Sequence, residues 1–364
     1  MKKTVCDILF LVSFCIIIIG LGAAIFILPQ KSFSEKENRA LEKLPSPSPQ
    51  NVIDGSYFER LGLFYRDQFP LRDSFTALCS LGEKSIGKIE TNGIITTKDG
   101  ICISLPEAIN TNKIQRNLDA IYALSKEKEV HLYVPPRSFD VFENKLPKLY
   151  PKERASSAIN LLNGETLADF LELKKIANEE YYYKTDHHWT TKGAYFAYTQ
   201  ICRRMGIEAY NESYFIKEEA ANDFRGTSAA KSGLPNWLIS EDTVTLYRYN
   251  GDEYITVENH ESEDLKNGFY QYNALDGADK YRVFLGGNYS HLSIRGEGER
   301  PTLLLIKDSF ANSIIPFLAL HFNIEVIDPR YCSAKYLSSQ IEREDIDNTL
   351  ILMGFDTLTT NIFD

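Results

Sequence analysis

The run from Thr302 to Met353 constrains the fold more than any other part of this chain. Thr302–Ile306 reads as a continuous apolar strand, Phe310–His321 as a helix and Ile324–Ile327 as a strand. Ala334–Arg343 then reads as a helical stretch and Thr349–Met353 as a third strand. Strands that alternate with helices across short connections build a parallel sheet flanked by helices, because a crossover returns the chain to a parallel neighbour. The expected fold class is α/β. Upstream, Gly87–Ser104 alternates as a β-rich region, Ile114–Lys128 has helical spacing, and Val130–Val134 is a strand that stops at Pro135-Pro136. Helical patterning runs from Lys152 to Asn178 with a break at Asn163-Gly164. Tyr181–Lys184 reads as a strand, and Thr190 opens a helix that sets Ala194, Tyr198, Ile201 and Cys202 on one face. Phe224–Tyr289 is less regular, with short strands and glycine breaks.

At the other end, Ile8 to Gln30 contains no charged residue. At about 1.5 Å per residue it spans a hydrocarbon core of roughly 30 Å. Lys2 and Lys3 precede it, which places the N-terminus in the cytoplasm and exports the remainder. A cleaved signal peptide is the alternative; Gly22, Ala23 and Ala24 offer a weak cleavage site, but apolar residues continue through Leu28. The following polar Pro/Ser-rich stretch reads as a juxtamembrane linker, and from Asn51 the chain turns amphipathic. The organisation expected is a cytoplasmic tip and signal-anchor at 1–30, a linker at 31–50, and one extracytoplasmic domain at 51–364. The whole is a single-pass protein of the cell membrane, with its main domain at the cell surface or in the periplasm. A formal charge of -10 argues against a nucleic-acid partner. Cys79, Cys102, Cys202 and Cys332 form no CxxC pair, which leaves their disulfide state open and zinc ligation unsupported.

Two short segments carry chemistry. In Thr185-Asp186-His187-His188-Trp189-Thr190, Asp186 and His188 stand two positions apart, so an extended turn points both side chains the same way. Asp186 would then fix the imidazole tautomer and leave the other nitrogen as a general base. The plainer alternative is that Asp186 caps the next helix. In Lys307-Asp308-Ser309-Phe310-Ala311-Asn312, a serine stands where an apolar strand meets a helix, as in a nucleophile elbow, although G-x-S-x-G is absent. There the plainer alternative is that Ser309 is the cap. Together the segments supply one nucleophile, one base and one orienting carboxylate.

Thr185–Trp189 with Lys307–Asn312 resembles the DHHW protein family, relatives of the alginate O-acetyltransferases with an SGNH-hydrolase-like domain. Further stretches agree: Glu37-Asn38-Arg39-Ala40-Leu41, Asp67 to Asp73 (DQFPLRD), Val134-Pro135-Pro136-Arg137, Phe284-Leu285-Gly286-Gly287-Asn288 and Pro316-Phe317-Leu318. The resemblance implies an SGNH-like sheet in permuted order, with Ser309 as acyl-accepting nucleophile, His188 as base and Asp186 as orienter. It implies that Trp189 packs beneath the loop and that Arg137 binds substrate or pairs with a carboxylate. The usual oxyanion asparagine is missing: the last strand ends in Met353-Gly354-Phe355-Asp356, and an ionised aspartate cannot donate. Backbone N–H groups of Ser309 and Phe310, one near Arg330, or the side chain of Asn288 are the substitutes.

The activity implied is O-acetylation of a surface or cell-wall polysaccharide without a cofactor, with a membrane-bound O-acyltransferase as acyl source. Hydrolysis of acetyl esters uses the same groups. A noncatalytic polysaccharide-assembly or binding subunit is the alternative from another class. Metal-dependent phosphoester hydrolysis is a third, because Asp186-His187-His188 also spells a metal signature; no upstream Asp-x-Asp pair supports it.

Overall fold

The computed structural model describes residues 2–34, 39–106, 109–148, 150, 156–262 and 264–363. Glu37 and Asn38 of the motif after the apolar segment, and residues 152–155 of the helical stretch from Lys152, lie outside them. Two compact units are present, Met1–Thr91 with Gly233–Pro235, and Asn92–Ser232 with Asn236–Asp364.

The first unit begins with α1 (Lys2–Ile27), whose Val5–Ile27 portion is long and apolar enough to cross a membrane. Strands β1 (Phe33–Ser34) and β2 (Arg39–Ala40) pair antiparallel, followed by α2 (Pro49–Ile53), α3 (Ser56–Asp67), α4 (Arg72–Ser85) and β3 (Glu90–Thr91). The polar stretch after α1 is held to the end of α3. Gln68 accepts from Lys31 N–H at 3.0 Å and donates to the carbonyls of Lys31 and Glu42, both at 2.9 Å. Buried Asp67 accepts from Glu42 N–H at 3.0 Å.

The second unit opens with β4 (Ile94–Thr96), β5 (Cys102–Ser104), α5 (Thr111–Leu124), β6 (Val130–Tyr133), α6 (Ser138–Val141), α7 (Ser156–Ile159), α8 (Gly164–Ile176) and α9 (Thr191–Arg204). It continues through β7 (Ile216–Phe224), α10 (Thr227–Ser232), β8 (Asp242–Arg248), β9 (Thr256–Asn259), β10 (Asp264–Asn267) and β11 (His291–Arg295). It ends with β12 (Thr302–Lys307), α11 (Ile315–Leu318), β13 (Asn323–Ile327), α12 (Ala334–Ile341), β14 (Asn348–Leu352) and α13 (Phe355–Leu358). Seven strands form one sheet in the order β10-β9-β11-β13-β12-β14-β6. β13, β12, β14 and β6 are mutually parallel, with Leu305 opposite Val326 on one side and Leu350 on the other. β11, β9 and β10 extend that sheet antiparallel.

Successive side chains of β12 enter opposite cores, which is why its whole run is apolar. Leu303 and Leu305 face a core with Trp189, Tyr198 and Phe317, while Leu304 and Ile306 face Leu118, Phe170 and Leu337. The fold is thus the α/β sheet flanked by helices that the alternation predicts, with an antiparallel edge that it does not.

Two local expectations are corrected. Tyr181–Lys184 is not a strand: only a single bridge joins Tyr182 to Trp189. Phe310–His321 is not one helix. A 3-10 turn, Ser309–Ser313, comes first, and Pro316 then sits in the first turn of the short α11, where its missing N–H costs nothing. All six cysteines are free, with Cys102 and Cys202 buried.

Candidate active site

β12 delivers the chain to the carboxyl edge of the parallel strands, where ligands gather in open α/β sheets. The cap of the turn that follows is Asp308, not Ser309. Asp308 Oδ1 accepts from Phe310 N–H at 3.0 Å, and Oδ2 accepts from Gly354 N–H at 2.8 Å and the Thr357 hydroxyl at 2.7 Å. Likewise α9 is capped by Thr190, whose Oγ1 accepts from Gly193 N–H, and not by Asp186. Both capping duties fall one or more residues from where they would have been bland explanations of Ser309 and Asp186. Those two side chains are left for other partners.

The structure brings the three sequence candidates together. His188 Nε2 lies 2.8 Å from Ser309 Oγ, although 121 positions separate them, and His188 Nδ1 lies 2.5 Å from Asp186 Oδ1. Asp186 Oδ1 also accepts from His188 N–H at 3.0 Å, and Oδ2 accepts from Thr227 N–H at 2.7 Å and Thr227 Oγ1 at 2.9 Å. This close approach requires Gly226, since a Cβ there would run into the Asp186 carboxylate. Burial alone would raise the Asp186 pKa, but His187, His188 and the Thr227 N–H outweigh it and hold the carboxyl well below the usual range. Burial, reinforced by neighbouring His187, lowers His188 to about 4 against the pull of Asp186. The imidazole is therefore neutral at neutral pH, and its Nε2 faces a hydroxyl.

Two aromatic residues fix this arrangement. The Tyr281 ring stacks on His188, and its hydroxyl donates to the Ser309 carbonyl at 3.0 Å. Fully buried Trp189 donates from Nε1 to the Phe310 carbonyl at 3.0 Å and to Ser313 Oγ at 2.9 Å, beneath the loop as expected. Sequence reasoning missed Tyr281; one tyrosine among 21, in the irregular region, gives no local signal. Tyr182, Tyr183 and Trp189 are buried in the core, whereas Trp237 is 75% exposed.

The oxyanion and substrate candidates divide sharply. Phe310 N–H is taken by Asp308, while Ser309 N–H has no acceptor among the described residues. Asn288 Oδ1 accepts from Lys307 Nζ at 2.9 Å and Asn312 Nδ2 at 3.1 Å, which orients its amide and leaves its Nδ2 without a partner among the described residues. Arg330 is committed to Asp328 by its backbone N–H, Nε and Nη2. Arg137 forms a buried two-point pair with Asp140, at 2.9 and 3.0 Å, the carboxylate partnership that was one of its two expected roles. Asp356 is exposed on α13. Asp186, His187 and His188 have ligand atoms near enough together to hold a metal ion. Those of Asp186 and His188 are already bonded to each other, Thr227 and Ser309, and His187 Nδ1 pairs with Thr227 Oγ1 at 2.7 Å.

The model of the family described as DHHW protein matches residues 160–327, which include Asp186, His188, Tyr281 and Ser309. The chain carries a DHHW region. Among solved structures, a DHHW family protein from Eubacterium siraeum DSM 15702 matches with TM-score 0.60 and 22% identity, covering 75% of this chain and 94% of that one. Bacillus cereus PatB1 with a sulfonyl adduct matches with TM-score 0.57 and 20% identity, covering 74% and 96%. PatB1 alone gives the same TM-score and identity, covering 74% and 98%. At these identities the likeness is one of fold, and it extends over nearly the whole length of each of those chains. No curated protein matches the chain.

Proposed function

We propose that the DHHW region is a serine O-acetyltransferase that modifies a surface or cell-wall polysaccharide. The observation that carries this reading is the continuous contact from Ser309 Oγ through His188 to Asp186 at the carboxyl edge of the sheet. Ser309 Oγ attacks the acyl carbonyl as its proton passes to His188 Nε2, and Asp186 stabilises the imidazolium. Ser309 N–H and Asn288 Nδ2 are the donors for the oxyanion. Collapse breaks the bond to the donor, whose leaving oxygen takes the proton from His188 and leaves acyl-Ser309. A sugar hydroxyl then attacks, passing its proton to His188; the new ester leaves and Ser309 regains its proton. Water in place of the sugar gives esterase chemistry. PatB1 has been solved with a sulfonyl adduct, a modification that suits a nucleophilic hydroxyl, and that supports the same reading for this chain.

In this reading α1 is an uncleaved anchor with a cytoplasmic N-terminus, and the domain from residue 51 works outside the membrane. The acyl group would come from a membrane-bound O-acyltransferase, the partner the family resemblance implies. The test is incubation of the full chain with 4-nitrophenyl acetate, followed by intact mass, beside Ser309→Ala and His188→Ala. An acetyl adduct or turnover that both substitutions abolish is the expected result. A wild-type chain that neither acylates nor turns over, yet binds glycan, would instead be a noncatalytic assembly subunit.

A further inference from the structure

The helix α4 in the first unit is amphipathic in the wrong sense for a water-facing helix. Leu71, at its N-cap, is 70% exposed, and Phe75, Leu78 and Ile86 are 43%, 65% and 83% exposed. At about 100° per residue these four fall on one face, with Gly82 between them and Ser74 and Cys79 at its margins. All four charged residues, Arg72, Asp73, Glu83 and Lys84, fall outside it. A soluble surface helix turns its charges outward and its apolar stripe inward. Leu71 also adopts the left-handed backbone region, φ 57°, a conformation that a branched residue takes only when the surroundings impose it, and here it holds an apolar side chain outward.

What faces this stripe follows from α1. Its penultimate residue, Phe26, packs its ring against Phe64 and Tyr65 of α3, with centroids 6.0 and 5.8 Å apart. α3 is therefore fixed at the level where the apolar helix ends, and it too exposes Phe58 (60%) and Tyr65 (41%). Only residues 68–71 separate α3 from α4, and Phe69 in that link packs edge-on against Phe75. Aromatic residues concentrated at the end of a spanning segment suit the boundary between headgroups and acyl chains.

We propose that α4, with the exposed side of α3, lies in the interfacial layer of the bilayer at the C-terminal end of α1, its apolar face inserted among the lipids. This rests on the reading of α1 as a membrane anchor. The two acidic and two basic residues of α4 cancel, so insertion depends on apolar burial and needs no anionic lipid. The protein is thereby held at two places, and the first unit cannot swing freely on a single tether.

The full chain in nanodiscs of phosphatidylcholine tests this. The thiols of Cys6, Cys15, Cys79 and Cys332 are replaced by serine, and one nitroxide at a time is placed at Ile17→Cys, Asp73→Cys, Phe75→Cys or Leu78→Cys. Collision with oxygen reports lipid, and collision with a water-soluble nickel chelate reports solvent. The expected result is lipid contact at 17, 75 and 78 and solvent contact at 73, unchanged by salt. Solvent contact at 75 and 78 with lipid contact at 17 would overturn the interfacial helix and leave the anchor standing. Solvent contact at 17 would overturn the anchor reading and this inference with it. Shielding of 75 and 78 from both collision partners would mean that protein, not lipid, covers the stripe, and would also overturn it.

Discussion

The phenol ring of Tyr281 lies flat on the imidazole of His188, with ring centroids 4.0 Å apart and planes 7° from parallel. The same residue reaches the Ser309 turn through its hydroxyl, so one side chain sets both the plane of the His188 imidazole and the backbone of Ser309. Replacing the ring and removing the hydroxyl should therefore have different effects. Tyr281→Phe keeps the stack and loses a hydrogen bond, which should cost about 0.5–1.5 kcal/mol in urea unfolding while most acylation remains. Tyr281→Leu frees the imidazole to rotate and should slow acylation of Ser309 by about tenfold or more. Equal rates for the two variants would mean that the stack does not position His188.

His188 gives a pH dependence with a defined sign. Its pKa is about 4 in the folded chain, against 6.5 for an unperturbed imidazole. Between those values the unfolded chain binds more protons, so stability rises with pH. This contribution is complete above about pH 6.5 and is lost as pH falls towards 4. In the proposed mechanism acylation needs the neutral ring, so its rate should be flat from about pH 6 to 8 and half-maximal near pH 4. Timed mass measurements, corrected for spontaneous hydrolysis of the ester, would give the profile. A midpoint near 6.5 would show the ring to be fully hydrated.

Gly226→Ala forces a methyl group into the Asp186 carboxylate, which must then move from His188 or from Thr227. The overpacking should cost about 1–3 kcal/mol of stability. Because Asp186 holds the His188 imidazole, acylation by the proposed mechanism should also fall well beyond what the lost folded fraction explains. Circular dichroism beside the acylation assay separates the two. Unchanged activity in a folded variant would remove Asp186 from the reaction.

Lys307 is buried, and burial draws its pKa down to about 8 despite Asp328 at 3.5 Å. Its ammonium donates to Asn288 and Asn312, both at 2.9 Å. Lys307→Met should cost about 1–3 kcal/mol, less than an isolated buried pair would, because Arg330 still neutralises Asp328. With the Asn288 amide no longer oriented, acylation should slow more in this variant than in Asn312→Ala. The reverse order would place the oxyanion donors elsewhere.

How much of this was legible in the sequence depended on the distance over which each feature is determined. The strand at Thr302, the helix after Thr190 and the spacing of Asp186 and His188 are local, and they read correctly. The capping alternatives at Ser309 and Asp186 fall one and four residues from the true caps, Asp308 and Thr190, because several Asp, Ser and Thr side chains compete at each helix start and only packing chooses. β7 was missed because eight of its nine residues are partly or fully exposed, which erases the alternation that marks a half-buried strand. The partnership of Asn288 with Lys307, and that of Tyr281 with His188, arise only when separate loops converge, so no window along the chain contains them.

Asp308 carries a consequence for biogenesis. Its second carboxylate oxygen is satisfied by Gly354 and Thr357, residues made some 46 and 49 positions after it. During synthesis, the turn that presents Ser309 cannot be fastened until those residues have emerged and β14 has docked. A chain halted before Gly354 would hold Asp186, His188 and Ser309 and still lack the clasp on the Ser309 turn. Nascent protein would thus lack that clasp until Thr357 has been made.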